Sequence, residues 1–295
     1  MHWKHAFAAL VIATPAFAQP AAVSPTPCAS CAAWNAPQKP FRIYGNTYYV
    51  GVAGLSAVLI ASDNELVLID GDLAESAPRI AEHIRALGFK PENIKLILNS
   101  HAHHDHAGGL AWLQRASGAR VAVSPWSAKL LARGRDLPDD PQFGAALYPI
   151  APLPAIETIS DGQTLKVANL ALTAHFTPGH TPGGTSWTWL SCENGRCLHM
   201  VYADSLTAVS ANNYRFTDHP EVLRYFAKSF STVEALPCDI LLTPHPDFSR
   251  TFERLKARDG GNANAFIDKN ACRAYAASSR DGLTKRLAQE KAKPN

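Results

Sequence analysis

The chain has 295 residues, 46% of them hydrophobic and 18% charged, a balance that excludes a disordered or fibrous protein and is enough for a sizeable core in one large domain. Its net charge of +3 is spread without a block of Lys or Arg, so nothing in it implies a nucleic-acid partner.

In chain order, residues 1–18 read as a secretory signal peptide. Lys4, with His2 and His5, forms the n-region, residues 6–13 are the apolar h-region, and Ala16-Phe17-Ala18 is an A-x-A cleavage site before Gln19. The apolar run is far below the roughly 20 residues of a membrane span. The mature protein is therefore expected to be exported to the periplasm, with no membrane span. Residues 19–40, rich in Ala and Pro, read as an extended arm, and residues 41–295 as a single folded domain.

Strand patterns follow at 41–44, 47–52, 56–62 and 65–70, separated by Gly and Asp-Asn turn signals. Residues 76–87 carry helical spacing in Ile80, Ile84 and Leu87, with Ser76 as candidate N-cap. A short apolar strand at 94–99 runs directly into a histidine cluster. Helices are expected at 109–116 and 127–133 with a strand at 120–123 between them. In the second half, strands are expected at 168–176, 185–190, 198–204 and 239–243, and helices at 220–236 and from 270 to the C-terminus. Trp187 and Trp189 alternate along a strand and read as core or sheet surface. The order of elements points to packed sheets with helices outside.

Six cysteines in an exported chain suggest disulfides, with 15 connectivities open. Asn194-Gly195 is a hairpin tip, which places Cys192 opposite Cys197 in a non-hydrogen-bonded pair close enough to bridge. Cys28 and Cys31 are near neighbours without a surrounding βαβ redox pattern, so a disulfide is the favoured reading. Cys238 and Cys272 remain to pair with each other.

The chemistry is concentrated in His101-Ala102-His103-His104-Asp105-His106-Ala107-Gly108-Gly109. A tight loop after a strand here offers imidazoles and a carboxylate, the donors that zinc prefers. The segment oversupplies one ion, which points to two. Further ligands are expected on Gly- or Pro-rich loops at strand ends, and two residues fit. His180 lies in Thr177-Pro178-Gly179-His180-Thr181-Pro182-Gly183-Gly184, and His245 lies between Pro244 and Pro246. His83, His175, His199 and His219 lack partner ligands.

Together these motifs resemble the metallo-β-lactamase superfamily, and within it the third subclass of class B β-lactamases. That subclass is suggested by His101, by a serine in place of a metal-binding cysteine, and by the segment Tyr202-Ala203-Asp204-Ser205-Leu206-Thr207. The resemblance covers the chain from Phe41 onward and implies an αββα sandwich with two zinc ions at one sheet edge. It implies that His101, His103 and His180 hold the first zinc and Asp105, His106 and His245 the second. Asp105 would also be catalytic, orienting a hydroxide held between the ions. Asp70 resembles the family's buried outer aspartate. His104 is left over as a packing or solvent-facing residue.

Ser205 and Thr207 are implied as contacts for the substrate carboxylate, and Gln142 lies in a proline-rich loop placed to cover the site. The expected activity is hydrolysis of penicillins, cephalosporins and carbapenems, hence antibiotic resistance, by a monomer. No S-x-x-K motif supplies a serine nucleophile. An aspartate after a comparable strand bridges the metals in many hydrolases of the superfamily, so Asp204 keeps open a lactonase or thioesterase. A non-hydrolytic di-metal redox or metal-binding protein is the alternative from another class, although the redox modules usually carry a carboxylate where His103 stands.

Overall fold

A computed structural model describes residues 26–145 and 148–292; the signal-peptide reading of residues 1–18 lies outside them. The first sheet holds β1 (Phe41–Tyr44), β2 (Thr47–Tyr49), β3 (Val58–Ser62), β4 (Glu65–Ile69), β5 (Ile94–Leu98), β6 (Arg120–Val123) and β7 (Glu157–Thr158), in that spatial order. Its first four strands pair antiparallel and the rest parallel. The second sheet runs β12-β11-β10-β9-β8, from β8 (Thr164–Val167), β9 (Leu170–Phe176), β10 (Thr185–Glu193), β11 (Arg196–Tyr202) and β12 (Ile240–Leu242).

Alternation along the strands assigns the layers. In β4, Val67 and Ile69 point between the sheets while Leu66 and Leu68 point outward to helices, so both faces are apolar and the strand reads as a continuous hydrophobic run. Between the sheets, Ile60, Leu96 and Leu98 meet Leu172, Trp187, Trp189 and Met200. Outside the first sheet lie α2 (Ala77–Ala86), α4 (Leu110–Ser117) and α5 (Pro125–Arg133), burying Ile80, Leu113 and Leu130. Outside the second lie α6 (Pro220–Ala235) and α8 (Ala271–Ala292), burying Phe226, Phe230 and Tyr275 against Val201 and Leu241. The expected αββα sandwich is what the layers form. Among the described residues no helix is long and apolar enough to cross a membrane.

Four details differ from the sequence expectation. The arm expected to be extended over 19–40 contains, in its described part, the helical turn α1 (Cys31–Trp34), closed by a Cys28–Cys31 disulfide and anchored by Val52, Leu55 and Leu73. The strand expected at 168–176 begins only after a hairpin, because Ala168 takes a left-handed φ of 48° between β8 and β9. Helix α7 (Thr251–Asp259) was not anticipated. Ser76 does not cap α2 with its side chain; its hydroxyl donates to Asn35 Oδ1 instead. The sulfurs of Cys192 and Cys197, and of Cys238 and Cys272, are also bonded, and Cys192 stands opposite Cys197 in the β10–β11 register.

Candidate metal centre

Five strand ends deliver polar residues to one edge of the sandwich. Asp70 follows β4, the histidine segment follows β5, His180 follows β9, Asp204 follows β11 and His245 follows β12. Asp70, fully buried, accepts hydrogen bonds from Asn99 Nδ2, Ser100 N and Ser100 Oγ at 2.6–2.8 Å, fixing the chain where it turns off β5. Trp187 Nε1 donates to Asn99 O from the opposite sheet, so both layers hold this turn.

A one-turn helix, α3 (His104–Ala107), then presents Asp105 and His106 on the same side as His101. Glycines allow the turn to fold back. A Cβ on Gly109 would lie 2.1 Å from Gly71 O, and one on Gly184 would lie 2.4 Å from Asp204 Oδ2.

Two overlapping groups of donors result. Ligand atoms of His101, His103 and His180 lie within 4.8 Å of one another, as do those of His101, Asp105 and His106. The rings of His101 and His106 are 4.4 Å apart between centroids. Asp105 Oδ2 lies 3.3 Å from His106 Nε2 and 3.4 Å from His245 Nε2, which brings His245 to the second group.

Outer partners set which nitrogen faces inward. His101 Nδ1 donates to Asp204 Oδ1 at 2.7 Å, leaving a buried Nε2 with no partner. His180 Nδ1 donates to Thr207 O at 2.8 Å, so its Nε2 faces Gln142 Nε2 at 3.3 Å. His103 Nε2 donates to Asp140 Oδ2 at 3.0 Å, and its Nδ1 lies 3.5 Å from Gln142 Nε2. His245 Nδ1 donates to Gly54 O at 3.1 Å beneath the Trp34 ring.

The protonation balance suits a cation. Burial, reinforced by neighbouring histidines, holds His101 well below the ordinary imidazole range and pushes His180 down to about 3. Burial opposes the charge of Asp105, but His106 and His245 outweigh it and keep the carboxylate ionised. Burial also opposes the charge of His103 and His245, but Asp140 and Asp105 outweigh it and raise both, so a cation would displace a proton there. His101 and His180, beside the ionised Asp105, already have the forms that bind zinc. Buried, unpartnered nitrogens on His101 and His106 are the atoms such an ion would satisfy. The residues therefore fit the metal.

All six residues expected as ligands are gathered here. Thr207 Oγ1 lies 3.2 Å from His180 Nδ1, Ser205 is buried nearby in sequence, and Gln142 reaches both His103 and His180. His104 stands apart, its ring edge-on to Tyr148 and beside the Cys28–Cys31 disulfide. Sequence reading missed Asp140, Trp34 and the backing role of Asp204. Only the acidic pair Asp139-Asp140 beside Gln142 could have hinted at the first.

Comparison with known proteins follows the same direction. The sequence profile described as the Metallo-beta-lactamase superfamily matches residues 50–193. The solved structure of the Rm3 metallo-beta-lactamase is 54% identical, covers 90% of this chain and 100% of its own, and superposes with a TM-score of 0.87. MEM-A1, a subclass B3 metallo-beta-lactamase from a soil metagenome library, is 51% identical, with 88% and 99% covered and a TM-score of 0.85. A hydroxyacylglutathione hydrolase of Anaeromyxobacter dehalogenans is 31% identical over 189 residues, or 64% of this chain and only 56% of that enzyme's length.

Proposed function

We propose that this chain, which belongs to the metallo-β-lactamase superfamily, is a two-zinc hydrolase that opens the ring of penicillins, cephalosporins and carbapenems and thereby confers resistance to them. The observation that carries the reading is the pair of donor groups, His101/His103/His180 and Asp105/His106/His245, in a chain 54% identical over 90% of its length to a metallo-beta-lactamase. Zinc held there would polarise a carbonyl, lower the pKa of a water and stabilise the charge released on nitrogen.

The chain's own residues do the rest. Asp204, the Thr207 carbonyl, Asp140 and the Gly54 carbonyl each hold one imidazole in a single tautomer, so its other nitrogen stays free as a donor pair. Asp105, kept ionised, accepts a proton of the attacking water in a hydrogen bond and orients it. Gln142 Nε2 is an amide donor facing the same space. The hydroxyls of Ser205 and Thr207 bind the substrate carboxylate, which fixes the lactam against the donors. Asp204 sits behind His101, bonded to its Nδ1, which supports the β-lactam reading over a lactonase that uses this carboxylate as a metal bridge.

Export to the periplasm by a signal peptide and a monomeric state belong to the same proposal. Pairing of all six cysteines supports an oxidising compartment. The test is a panel of penicillin, cephalosporin, carbapenem, lactone and thioester substrates with purified enzyme before chelation, after it, and after zinc is restored. Turnover of the three β-lactam classes that disappears and returns with about two zincs per chain is expected. Lactone or thioester turnover with carbapenems untouched would overturn it.

A further inference from the structure

Outside the hydrolytic centre, a second cluster of metal-ligating atoms lies where the N-terminal turn meets α3. Ligand atoms of Cys28, Cys31 and His104 lie within 4.8 Å of one another. Both ring nitrogens of His104 are buried and neither has a hydrogen-bond partner, whereas buried polar groups are normally satisfied. Its ring meets that of Tyr148 edge-on, 5.1 Å away between centroids. The hydrolytic centre uses neither this imidazole nor these sulfurs.

The turn is tied down independently of its disulfide. Glu75 accepts hydrogen bonds from Thr26 N and Thr26 Oγ1, both at 2.8 Å, and Pro27 O accepts the Tyr148 hydroxyl at 2.9 Å. On the far side of α1, Gly54 N donates to Trp34 O at 2.9 Å and Ala53 N to Ala36 O at 3.0 Å. Cys31 is 3% exposed and packs with Val52, Leu55 and Leu73. Opening the Cys28–Cys31 bond therefore leaves both sulfurs beside His104. Two cysteines separated by two residues, with Cα atoms 5.1 Å apart, have the spacing at which paired thiolates chelate one ion.

We propose that the reduced Cys28/Cys31 pair and His104 form a third metal site, for a thiolate-seeking divalent cation such as zinc or cadmium. The inference stands apart from the β-lactam reading. Reduction is by a dithiol: one of its thiolates attacks Cys28, the half-buried sulfur, and forms a mixed disulfide while Cys31 leaves as the thiolate. The second thiol of the reductant then displaces Cys28, so two electrons pass to the cysteine pair and the reductant departs as a cyclic disulfide. The cation binds both sulfurs as thiolates, releasing their protons to solvent, and takes one imidazole nitrogen of His104, with water in the fourth position. It thereby restores, under reducing conditions, the link between residues 28 and 31 that the disulfide makes under oxidising ones. With the disulfide closed the site does not exist, and His104 is no ligand.

The test uses the zinc-loaded enzyme, reduced with dithiothreitol, freed of it under nitrogen and titrated with Cd2+. A further cadmium should bind with the ultraviolet thiolate-to-cadmium charge-transfer band, and unreduced enzyme should show no such band. Iodoacetamide labelling with peptide mapping identifies the sulfurs: Cys28 and Cys31 should be labelled in the reduced enzyme and protected once cadmium is present. His104→Ala should weaken that cadmium by about tenfold or more, since losing even an outer partner of a ligand costs that much. Labelling of Cys28 and Cys31 that cadmium leaves unchanged would overturn the site. So would an unchanged affinity in His104→Ala, or a Cys28–Cys31 bond that the dithiol does not open in the folded enzyme. The labelling is read in the parent chain, so it decides alone should His104→Ala not fold.

Discussion

Asp140 Oδ2 accepts the Nε2 proton of His103 at 3.0 Å, and Asp140 Oδ1 accepts Gln142 N–H at 2.8 Å. One carboxylate, 1% exposed, therefore fixes both an imidazole of the first donor group and the loop that carries Gln142 over it. Replacing Asp140 by Ala should weaken zinc binding by about 10–100-fold, the usual effect of losing a ligand's outer partner. Asp140→Asn keeps an oxygen for the proton and should recover part of the loss. Competition with a chromophoric chelator measures this, and an unchanged affinity in the Ala variant would refute the role.

The histidines should separate by zinc content. His180→Ala and His245→Ala each remove a donor from one group, and elemental analysis should show less metal in each. His104, edge-on to Tyr148 and outside both groups, should be replaceable by Ala with zinc content intact. Equal losses from all three substitutions would mean that the segment is ligated in another way.

Removing the hydroxyls of Ser205 and Thr207 together should weaken capture of the substrate carboxylate. Hydrogen bonds to a charged group contribute roughly 1.5–3 kcal/mol each, so the double Ala variant should lose on the order of a hundredfold or more in kcat/KM. Most of that should appear as KM, because the contact is the same in ground and transition states. A loss confined to kcat would contradict the assignment.

Glu290, near the end of α8, gives a pH-dependent term. Burial alone would raise its pKa, but hydrogen bonds from Thr217 N–H, Arg286 and Phe216 N–H hold it below the ordinary value of 4.5. A depressed carboxylate contributes stability above its unfolded pKa, and that stability is lost as pH falls through the folded one. Glu290→Gln should therefore unfold at lower temperature at pH 7, by about 1–3 kcal/mol of stability. The gap to the parent should narrow below pH 4.5. A gap independent of pH in thermal melts would remove the ionised carboxylate from the explanation.

The disulfides should differ in weight. Cys238–Cys272 spans 34 residues and ties the approach to β12 to the first turn of α8. Opening it with a Cys238→Ser, Cys272→Ser pair should cost about 2–5 kcal/mol in denaturant titrations. Cys192–Cys197 spans five residues inside a hairpin already closed by ladder hydrogen bonds, so its loss should cost less. The reverse ranking would refute the loop argument.

Residues close in sequence were legible, and residues joined only by the fold were not. His101 to His106 announce themselves because one strand end carries four assigned ligands within six positions. Asn194-Gly195 likewise fixed the register that sets Cys192 against Cys197. Asp140 meets His103 across 37 residues, and Trp34 reaches His245 from the far end of the chain, with no periodicity marking either. The β8–β9 turn was missed because Ala168, which rarely adopts a left-handed φ, occupies it. Helix α7 was missed because it starts after Arg250, a left-handed residue with no capping side chain.

The two donor groups also close at different points along the chain. The first is complete once the β9–β10 loop has been made, whereas the second waits for the residue that follows β12. A polypeptide growing from its N-terminus thus acquires one finished trio well before the other, and a fragment ending ahead of β12 would possess the first without the second. Maturation of the centre has a direction, written into the order of the strands.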